Sequence, residues 1–326
     1  MEIQIPLVSV IIPNYNHSLY LKERIDSVLN QDYSNIEVIL LDDCSSDNSV
    51  DIIESYRDNP KVSQICINTQ NSGSTFKQWE KGINLARGEY IWIAESDDSA
   101  DLHLLSTLMN ALIENSSSVL GFCNSVYIDA NGKVIQQSVD VDDVFDALYT
   151  VHDGVDFIRT KMLYNNRIYN ASAVVFKRNA WKKVDKQYMN YQLCGDWYFW
   201  LSVLIQGDVL WLHKAYNKFR KHEQKVTPKA LKNGVNYEEL HFIVKYLNSV
   251  IRLNFYRKYL ILGVIYVSLI KNRKILPSIR RKELKKWLLE YPEIPICSLV
   301  RVVQYYLVKF GVLKKYKQPK VLNIRY

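Results

Sequence analysis

The chemistry of this chain is concentrated in one short run, Glu95-Ser96-Asp97-Asp98, which puts three carboxylates within four residues. The run ends an apolar stretch, Tyr90-Ile91-Trp92-Ile93-Ala94, of the kind that forms a buried strand. Carboxylates at the C-terminal tip of such a strand lie where open α/β sheets bind their ligands. Three acids so close repel one another unless a cation joins them, and hard oxygen donors suit Mg²⁺ or Mn²⁺ bridging to phosphates. The competing reading is a helix start, with Asp98, Ser99 or Asp101 as the N-cap. Two further groups carry ionisable side chains in patterns that suggest chemistry. Asp42-Asp43-Cys44-Ser45-Ser46-Asp47 follows the apolar run Ile36 to Leu41, and Arg220-Lys221-His222 lies far downstream.

The elements that must position these groups are legible as alternating patterns. Val8 to Ile12, Ile36 to Leu41, Val62 to Ile67 and Tyr90 to Ala94 read as strands. Between them, Leu21, Ile25, Val28 and Leu29 recur at helical spacing, Val50, Ile53 and Tyr56 do the same, and a third helix is expected from about Ser74 to Ala86, stopped at Gly88. Strand–helix alternation four times over predicts a Rossmann-like, mostly parallel sheet flanked by helices. Right-handed crossovers then gather Pro13 to His17, Asp42 to Ser46, Asn68 to Gly73 and Glu95 to Asp98 on one edge. No GxGxxG follows the first strand, so a dinucleotide fingerprint is absent. Further on, a helix is expected over 102–113, a strand over 119–128 with a hairpin turn at 129–132, an acidic loop over 138–150, a helix over 155–163 and a strand over 171–176. An aromatic-rich helix over 195–205 and a strand over 209–212 complete the body.

The net charge of +8 hides an asymmetry. Residues 1–234 carry 23 Lys and Arg against 29 Asp and Glu, whereas residues 235–326 carry 19 against 5. A mildly acidic body joined to a basic, largely helical C-terminal region predicts an anionic surface as partner, either lipid or nucleic acid, and the acidic body argues against nucleic acid. The longest apolar run there, Tyr259 to Ile270, is shorter than the roughly 20 residues a spanning helix needs. An interfacial helix is one expectation for this region, and helices packed on the body with a solvated basic face are the other. The five scattered cysteines form neither a CxxC pair nor a Cys/His cluster, which favours a reducing compartment. Met1 to Pro6 has neither the basic region nor the apolar core of a secretory leader, so a cytoplasmic location, peripheral on the inner membrane face, is expected.

Three blocks, taken in order, resemble the family-2 glycosyltransferases: Ser9-Val10-Ile11-Ile12-Pro13-Asn14-Tyr15-Asn16, then Asp42-Asp43-Cys44-Ser45-Ser46-Asp47-Asn48-Ser49, then Asn71-Ser72-Gly73 with Ala86-Arg87-Gly88-Glu89-Tyr90-Ile91 leading into Glu95-Ser96-Asp97-Asp98. The likeness is strong over residues 7–130 and weaker over 131–226. It implies a GT-A fold and inverting transfer from a nucleotide-diphosphate sugar, and it places a donor half at 1–130 and an acceptor half at 131–234. By this resemblance Pro13 forms a pocket wall and Tyr15 lies against the base. Asp43 accepts from a uracil-type imide with Asp42 or Ser45 nearby, and Asp97 and Asp98 hold the metal (Mn²⁺ or Mg²⁺) and the ribose. Glu95 stands where the family usually has Asp, so its share in the metal is open. Lys77 meets either a phosphate or only solvent.

Cys194-Gly195-Asp196-Trp197-Tyr198-Phe199-Trp200 resembles the family's later acidic motif, with Gly195 in place of the first acid, and makes Asp196 the candidate base; helix-capping duty is the other reading. Trp197 and Trp200 serve either an acceptor sugar or the core. Arg220 is expected to stabilise the leaving group, and His222 to complete the metal shell or touch phosphate. His17 and His103 receive no role. The acceptor is expected to be a saccharide or a lipid-linked glycan of surface polysaccharide synthesis. The competing readings are a catalytically weak, nucleotide-sugar-binding scaffold, motivated by Glu95 and Gly195, and a nucleotidyltransferase, which lacks its Gly-rich loop after the first strand.

Overall fold

The computed structural model describes residues 5–136, 147–222, 234–272, 274 and 276–310. Most of the acidic loop expected from Ser138 therefore lies outside the described residues. The order of elements is β1 (Val8–Asn14), α1 (Ser18–Leu29), β2 (Ile36–Asp42), α2 (Ser49–Glu54), β3 (Val62–Ile67), α3 (Thr75–Leu85), β4 (Tyr90–Ile93), β5 (Ser99–Ala100) and α4 (Leu104–Glu114). There follow β6 (Ser118–Ile128), β7 (Val134–Gln136), β8 (Tyr149–His152), α5 (Gly154–Phe157), β9 (Val174–Lys177), α6 (Arg178–Trp181), α7 (Gly195–Leu204) and β10 (Asp208–Arg220). Four helices close the described chain: α8 (Val235–Ile251), α9 (Phe255–Asn272), α10 (Ser278–Leu289) and α11 (Ile294–Lys309).

The described strands form one sheet in the order β3-β2-β1-β4-β9-β6-β10-β5, with β7 beside β6 and β8 beside β10. The first four strands are parallel, as the alternation predicts. Their β-branched and aromatic residues are buried on both faces of β1, β2 and β4. Pro13 is accommodated in a central strand because β4 pairs β1 only from Val8 to Ile11, so its missing N–H interrupts no ladder on that side. The second half departs from simple alternation. β9 inserts antiparallel between β4 and β6, and β10 runs parallel to β6 as a strand of 13 residues with irregular register around Leu212 to Asn217. Polar residues between Leu212 and Phe219 hide this length from a pattern of apolar runs. The two-residue β5, paired with Asn217 and Lys218, gives no sequence signal. Residues 171–173 form a 3₁₀ turn ahead of β9, and 158–162 form a wide helical turn after α5.

The chain divides into two compact units. The first comprises residues 1–157, 168–189 and 202–223 and holds the sheet. Its core gathers Val10, Ile12, Leu21, Ile25, Leu40, Trp92 and Leu108 around the parallel strands. Gly82 lets α3 lie close on β1: a Cβ there would meet Ile11 Cγ2 at 2.3 Å. The second unit takes residues 158–167 and 190–201 together with 224–326. Within it, Glu239 of α8 accepts hydrogen bonds from three successive backbone amides, those of Gln192, Leu193 and Cys194, at 2.6, 2.9 and 2.8 Å. That carboxylate fixes the approach of the chain to the N-terminus of α7. α9 approaches α11 closely at Gly263, where a Cβ would lie 2.1 Å from the Cys297 carbonyl oxygen.

Candidate active site

In the first unit, the C-terminal tips of β1 and β2 are tied by a lattice of side chains. Asn14 Nδ2 donates to Asp42 Oδ1 at 2.8 Å, and Ser45 donates to both Asp42 oxygens, through its amide at 2.8 Å and its hydroxyl at 2.6 Å. The Ser45 hydroxyl accepts in turn from the Asn16 amide at 2.9 Å, and Asn16 Oδ1 accepts from the Ser46 amide at 2.7 Å. Asn16 and Cys44 sit in the left-handed region, with φ of 55° and 64°. Such geometry is strained for residues other than glycine and tends to mark functional turns. These turns leave the Tyr15 ring exposed on the strand tip, with Pro13 buried behind it.

Asp43 is buried and accepts from Asn68 Nδ2 (2.7 Å), the Ser72 amide (2.9 Å), Gln78 Nε2 (2.8 Å) and the Ser72 hydroxyl (2.7 Å). Four donors match the acceptor capacity of a carboxylate. Asp43 therefore fastens the loop before α3, including Gly73 at φ 73°, to the end of β2. Lys77 is exposed and its Nζ donates to the Ser72 carbonyl at 3.1 Å, which braces the same loop.

The three acids after β4 have different surroundings. Asp98 points inward: only 1% exposed, it accepts from Asn170 Nδ2 (2.7 Å), the Ser172 hydroxyl (2.8 Å) and the Arg220 amide (2.9 Å), with the Arg24 guanidinium 3.9 Å away. Burial raises its carboxyl above the ordinary range, with the Asp97 charge adding to the rise. Glu95 Oε1 accepts from the Trp79 indole at 2.8 Å, and burial, with Asp97 second, raises this carboxyl to about 8. Arg24, fully buried on the inner face of α1, donates through Nε to the Glu95 carbonyl at 2.9 Å and supplies positive charge behind all three acids.

Asp97 faces a different set. Its Oδ2 lies 2.9 Å from His222 Nε2. One ligand atom from each of His17, Asp97 and His222 falls within 4.8 Å of the others, the group of potential metal ligands found among the described residues. An imidazole–carboxylate set fits a first-row divalent ion such as Mn²⁺, so the residues present suit the metal implied by the acidic run. The expected set of Asp97, Asp98, Glu95 and His222 is thus divided: Asp97 and His222 converge, while Asp98 and Glu95 are engaged by structural donors.

Arg220 also differs from expectation. It is buried, and its guanidinium donates to the Asp97 carbonyl (2.8 Å), to the carbonyls of Asp129 and Ala130 (3.1 and 3.2 Å) and to Glu23 (2.5 Å), over the ring of Tyr20. These contacts make it a strut that holds the acidic turn against the hairpin after β6, rather than a side chain presented to a leaving group. Sequence patterns missed Arg24, Asn170, Ser172 and His17. Only Arg24 left a signal, as a charged residue on the apolar stripe of α1. His103 pairs with Asp32 at 2.6 Å.

Asp196 belongs to the second unit, in the first turn of α7. Its Oδ2 accepts from Asn166 Nδ2 at 2.9 Å and its Oδ1 from the Trp197 amide at 2.6 Å. Burial pushes this carboxyl up to about 7, against the lowering effect of those bonds. Trp197 and Trp200 are both buried, which decides for packing over an exposed aromatic platform.

Residues 9–183 match the family model described as Glycosyl transferase family 2, more than half of the chain. The chain is a family-2 glycosyltransferase. The glycosyltransferase is 28% identical, over 239 residues, to an uncharacterised glycosyltransferase of Haemophilus influenzae, covering 73% of this chain and 88% of that one. It is 25% identical over 290 residues to the GalNAc(5)-diNAcBac-PP-undecaprenol beta-1,3-glucosyltransferase of Campylobacter jejuni, covering 83% of this chain and 86% of the relative. Its fold is that of TarS residues 1–349 from Staphylococcus aureus, solved in complex with UDP-GlcNAc: TM-score 0.63 and 19% identity over 94% of this chain and 91% of that one. The mostly parallel sheet with flanking helices and a helical C-terminal region is thus a GT-A fold of the TarS kind.

Proposed function

We propose that this glycosyltransferase moves a sugar, with inversion, from a UDP-type donor to a hydroxyl of a saccharide or lipid-linked glycan in bacterial surface polysaccharide synthesis. The observation that carries this reading is the convergence of Asp97 and His222 at the tip of β4, in the same unit as the Asp42–Asn14–Ser45 lattice and the exposed Tyr15 ring. The undecaprenol-linked substrate of the Campylobacter glucosyltransferase and the UDP-GlcNAc bound to Staphylococcus TarS support the acceptor and donor classes.

In this reading Tyr15 stacks on the base, with Pro13 behind it and Asp42 and Ser45 shaping the turn beneath. A uracil imide meets Asp43 in exchange for the Ser72 hydroxyl, which has a second acceptor, the Ser74 carbonyl, at 3.2 Å. Asp97 and His222 would hold a divalent cation, which would supply positive charge against the departing diphosphate. Asp196 takes the proton of the acceptor hydroxyl while that oxygen bonds to the anomeric carbon and the bond to the diphosphate breaks on the opposite face. A base near pKa 7 suits this task at neutral pH.

The basic tail completes the proposal. Among the described residues no helix is long and apolar enough to cross a membrane. α11 nevertheless exposes Leu299, Val303 and Tyr306, with Phe310 just beyond it, at helical spacing, and α10 exposes Arg281, Lys282, Lys285 and Lys286. Apolar and basic side chains together suit the headgroup region of an anionic leaflet, where lipid-linked acceptors are displayed.

The test is a panel of UDP-, GDP- and dTDP-sugars with Mn²⁺, reading nucleotide diphosphate release and the thermal shift given by each free diphosphate. A UDP-specific shift with turnover of a UDP-sugar supports the reading, and a response confined to GDP or dTDP refutes its donor.

A further inference from the structure

His17 lies in the turn between β1 and α1. Its carbonyl accepts from Tyr20 and Leu21, but its side chain makes no capping bond to α1. The ring is held elsewhere. Nδ1 is 2.8 Å from the hydroxyl of Ser96, the buried residue between Glu95 and Asp97. The ring lies edge-on to His222, with centroids 5.5 Å apart at 85°, and Tyr20 packs against His222 at 5.3 Å. Ligand atoms of His17, Asp97 and His222 fall within 4.8 Å of one another. Adjacent donors on an octahedral ion at roughly 2.1 Å stand about 3 Å apart and opposite ones about 4 Å, so small rotations close the set on an ion.

We propose that His17 is a third protein ligand of the divalent cation, giving a two-histidine, one-carboxylate set that selects a first-row transition ion over Mg²⁺. This rests on the sugar-transfer reading for the presence of the cation, and adds to it a ligand and a metal preference. Mg²⁺ favours oxygen donors and retains its waters, whereas imidazole nitrogens bind Mn²⁺ and its heavier neighbours better. A hydrogen bond donated by the non-ligating ring N–H of a histidine to a neighbouring oxygen orients the ring, and such partners commonly change metal affinity 10- to 100-fold. Ser96 gives His17 that partner, which accounts for a buried serine inside the acidic run.

The experiment titrates Mn²⁺ into the full-length protein, with and without UDP, reading free Mn²⁺ by electron paramagnetic resonance. Wild type is compared with His17→Ala and Ser96→Ala, and Mg²⁺ is then added as competitor. The proposal expects His17→Ala to weaken Mn²⁺ binding at least about 10-fold and to narrow the Mn²⁺-over-Mg²⁺ preference, with Ser96→Ala weakening it less. Unfolding midpoints in EDTA report whether the fold is intact, and a destabilised His17→Ala is replaced by His17→Gln. Equal Mn²⁺ affinity in wild type and variant overturns the proposal, as does wild-type protein that binds Mg²⁺ as well as Mn²⁺. Sugar transfer fails on a separate readout: Mn²⁺ bound with a His17-dependent affinity, but no turnover of any nucleotide sugar, refutes the reaction and leaves the metal site standing.

Discussion

Asp97 and Asp98 are adjacent in sequence, yet the structure assigns them opposite duties, and paired substitutions separate the two. Asp98 is the acceptor for three buried donors, Asn170, Ser172 and the Arg220 amide, and the nearest carboxylate to the buried Arg24. Each donor stranded by Asp98→Ala costs about 1–3 kcal/mol, and removing the partner of a buried cation costs about 3–5 kcal/mol. These terms overlap, because relaxation around one site serves all of them, so a loss of about 4–6 kcal/mol is expected. That approaches the whole stability of an ordinary domain, about 5–15 kcal/mol. Asp98→Asn keeps the shape and one acceptor oxygen and should lose about 2–3 kcal/mol. Asp97 pairs with His222 but also repels the Glu95 and Asp98 carboxylates, so Asp97→Asn relieves repulsion as it weakens the pair and should cost less than Asp98→Asn. The metal affinities should order the other way, with Asp97→Asn losing Mn²⁺ and Asp98→Asn retaining most of it once folded. Guanidinium unfolding followed by circular dichroism gives the stabilities, and Mn²⁺ titration gives the affinities. Asp98→Asn with wild-type stability and no Mn²⁺ binding would show that Asp98 is a ligand and that the argument from its donors is mistaken.

Asp196→Asn should lower kcat by about 10²–10⁴-fold while leaving donor binding unchanged, and in wild type the rate should climb with pH to a plateau just above about 7, as this carboxyl loses its proton; a rate flat from pH 5 to 9, or an active Asp196→Asn, removes Asp196 from the base role. His241 is buried against the Tyr266 hydroxyl at 2.6 Å, and burial pulls it down to about 4 in the folded chain. The unfolded chain takes up the proton first, so this contribution to stability is intact above pH 6.5 and falls by about 1.4 kcal/mol per pH unit from there to about 4. Unfolding free energies of His241→Gln measured across that range should show a flatter acid limb than wild type. Sedimentation with vesicles containing phosphatidylglycerol should capture the full-length protein at low salt and release it as salt rises, and Leu299→Glu with Val303→Glu should abolish capture; equal capture by neutral vesicles would rule out an anionic surface.

The donor half of the fold was legible because its signals are local. Apolar runs at β1 to β4, helical spacing in α1 and α3, and turn residues at each strand tip all lie within short windows. The acids of the site were visible for the same reason, as residues at strand ends. Their individual duties were not. What divides Asp97 from Asp98 is set by Asn170, Ser172, Arg220 and His222, between 72 and 125 residues away. Nothing in the run Glu95 to Asp98 shows which carboxylate turns inward. Arg220 and His222 were read as one basic motif, yet alternation along β10 and its exit sends the first into protein carbonyls and the second to Asp97. Glu239 was invisible because its partners, the amides of residues 192–194, have no side-chain signature.

The insertion of β9 between β4 and β6 has a consequence for how this protein is made and cut. As the chain leaves the ribosome, β1 to β4 and the turn after them emerge with Asp42, Asp43, Glu95, Asp97 and Asp98 already present, but the inner wall behind Asp98 waits for residues 170–177 and the partner of Asp97 waits for His222. Until then β4 has a bare strand edge, which invites pairing with a neighbouring nascent chain. A fragment ending near residue 130 would keep the three blocks at 9–16, 42–49 and 71–98 and still lack the groups that give them their geometry. A portable piece in a domain-exchange experiment therefore has to reach at least His222, and since residues 158–167 and 190–201 belong to the second unit, exchanges made at the visible motif boundary should yield insoluble protein.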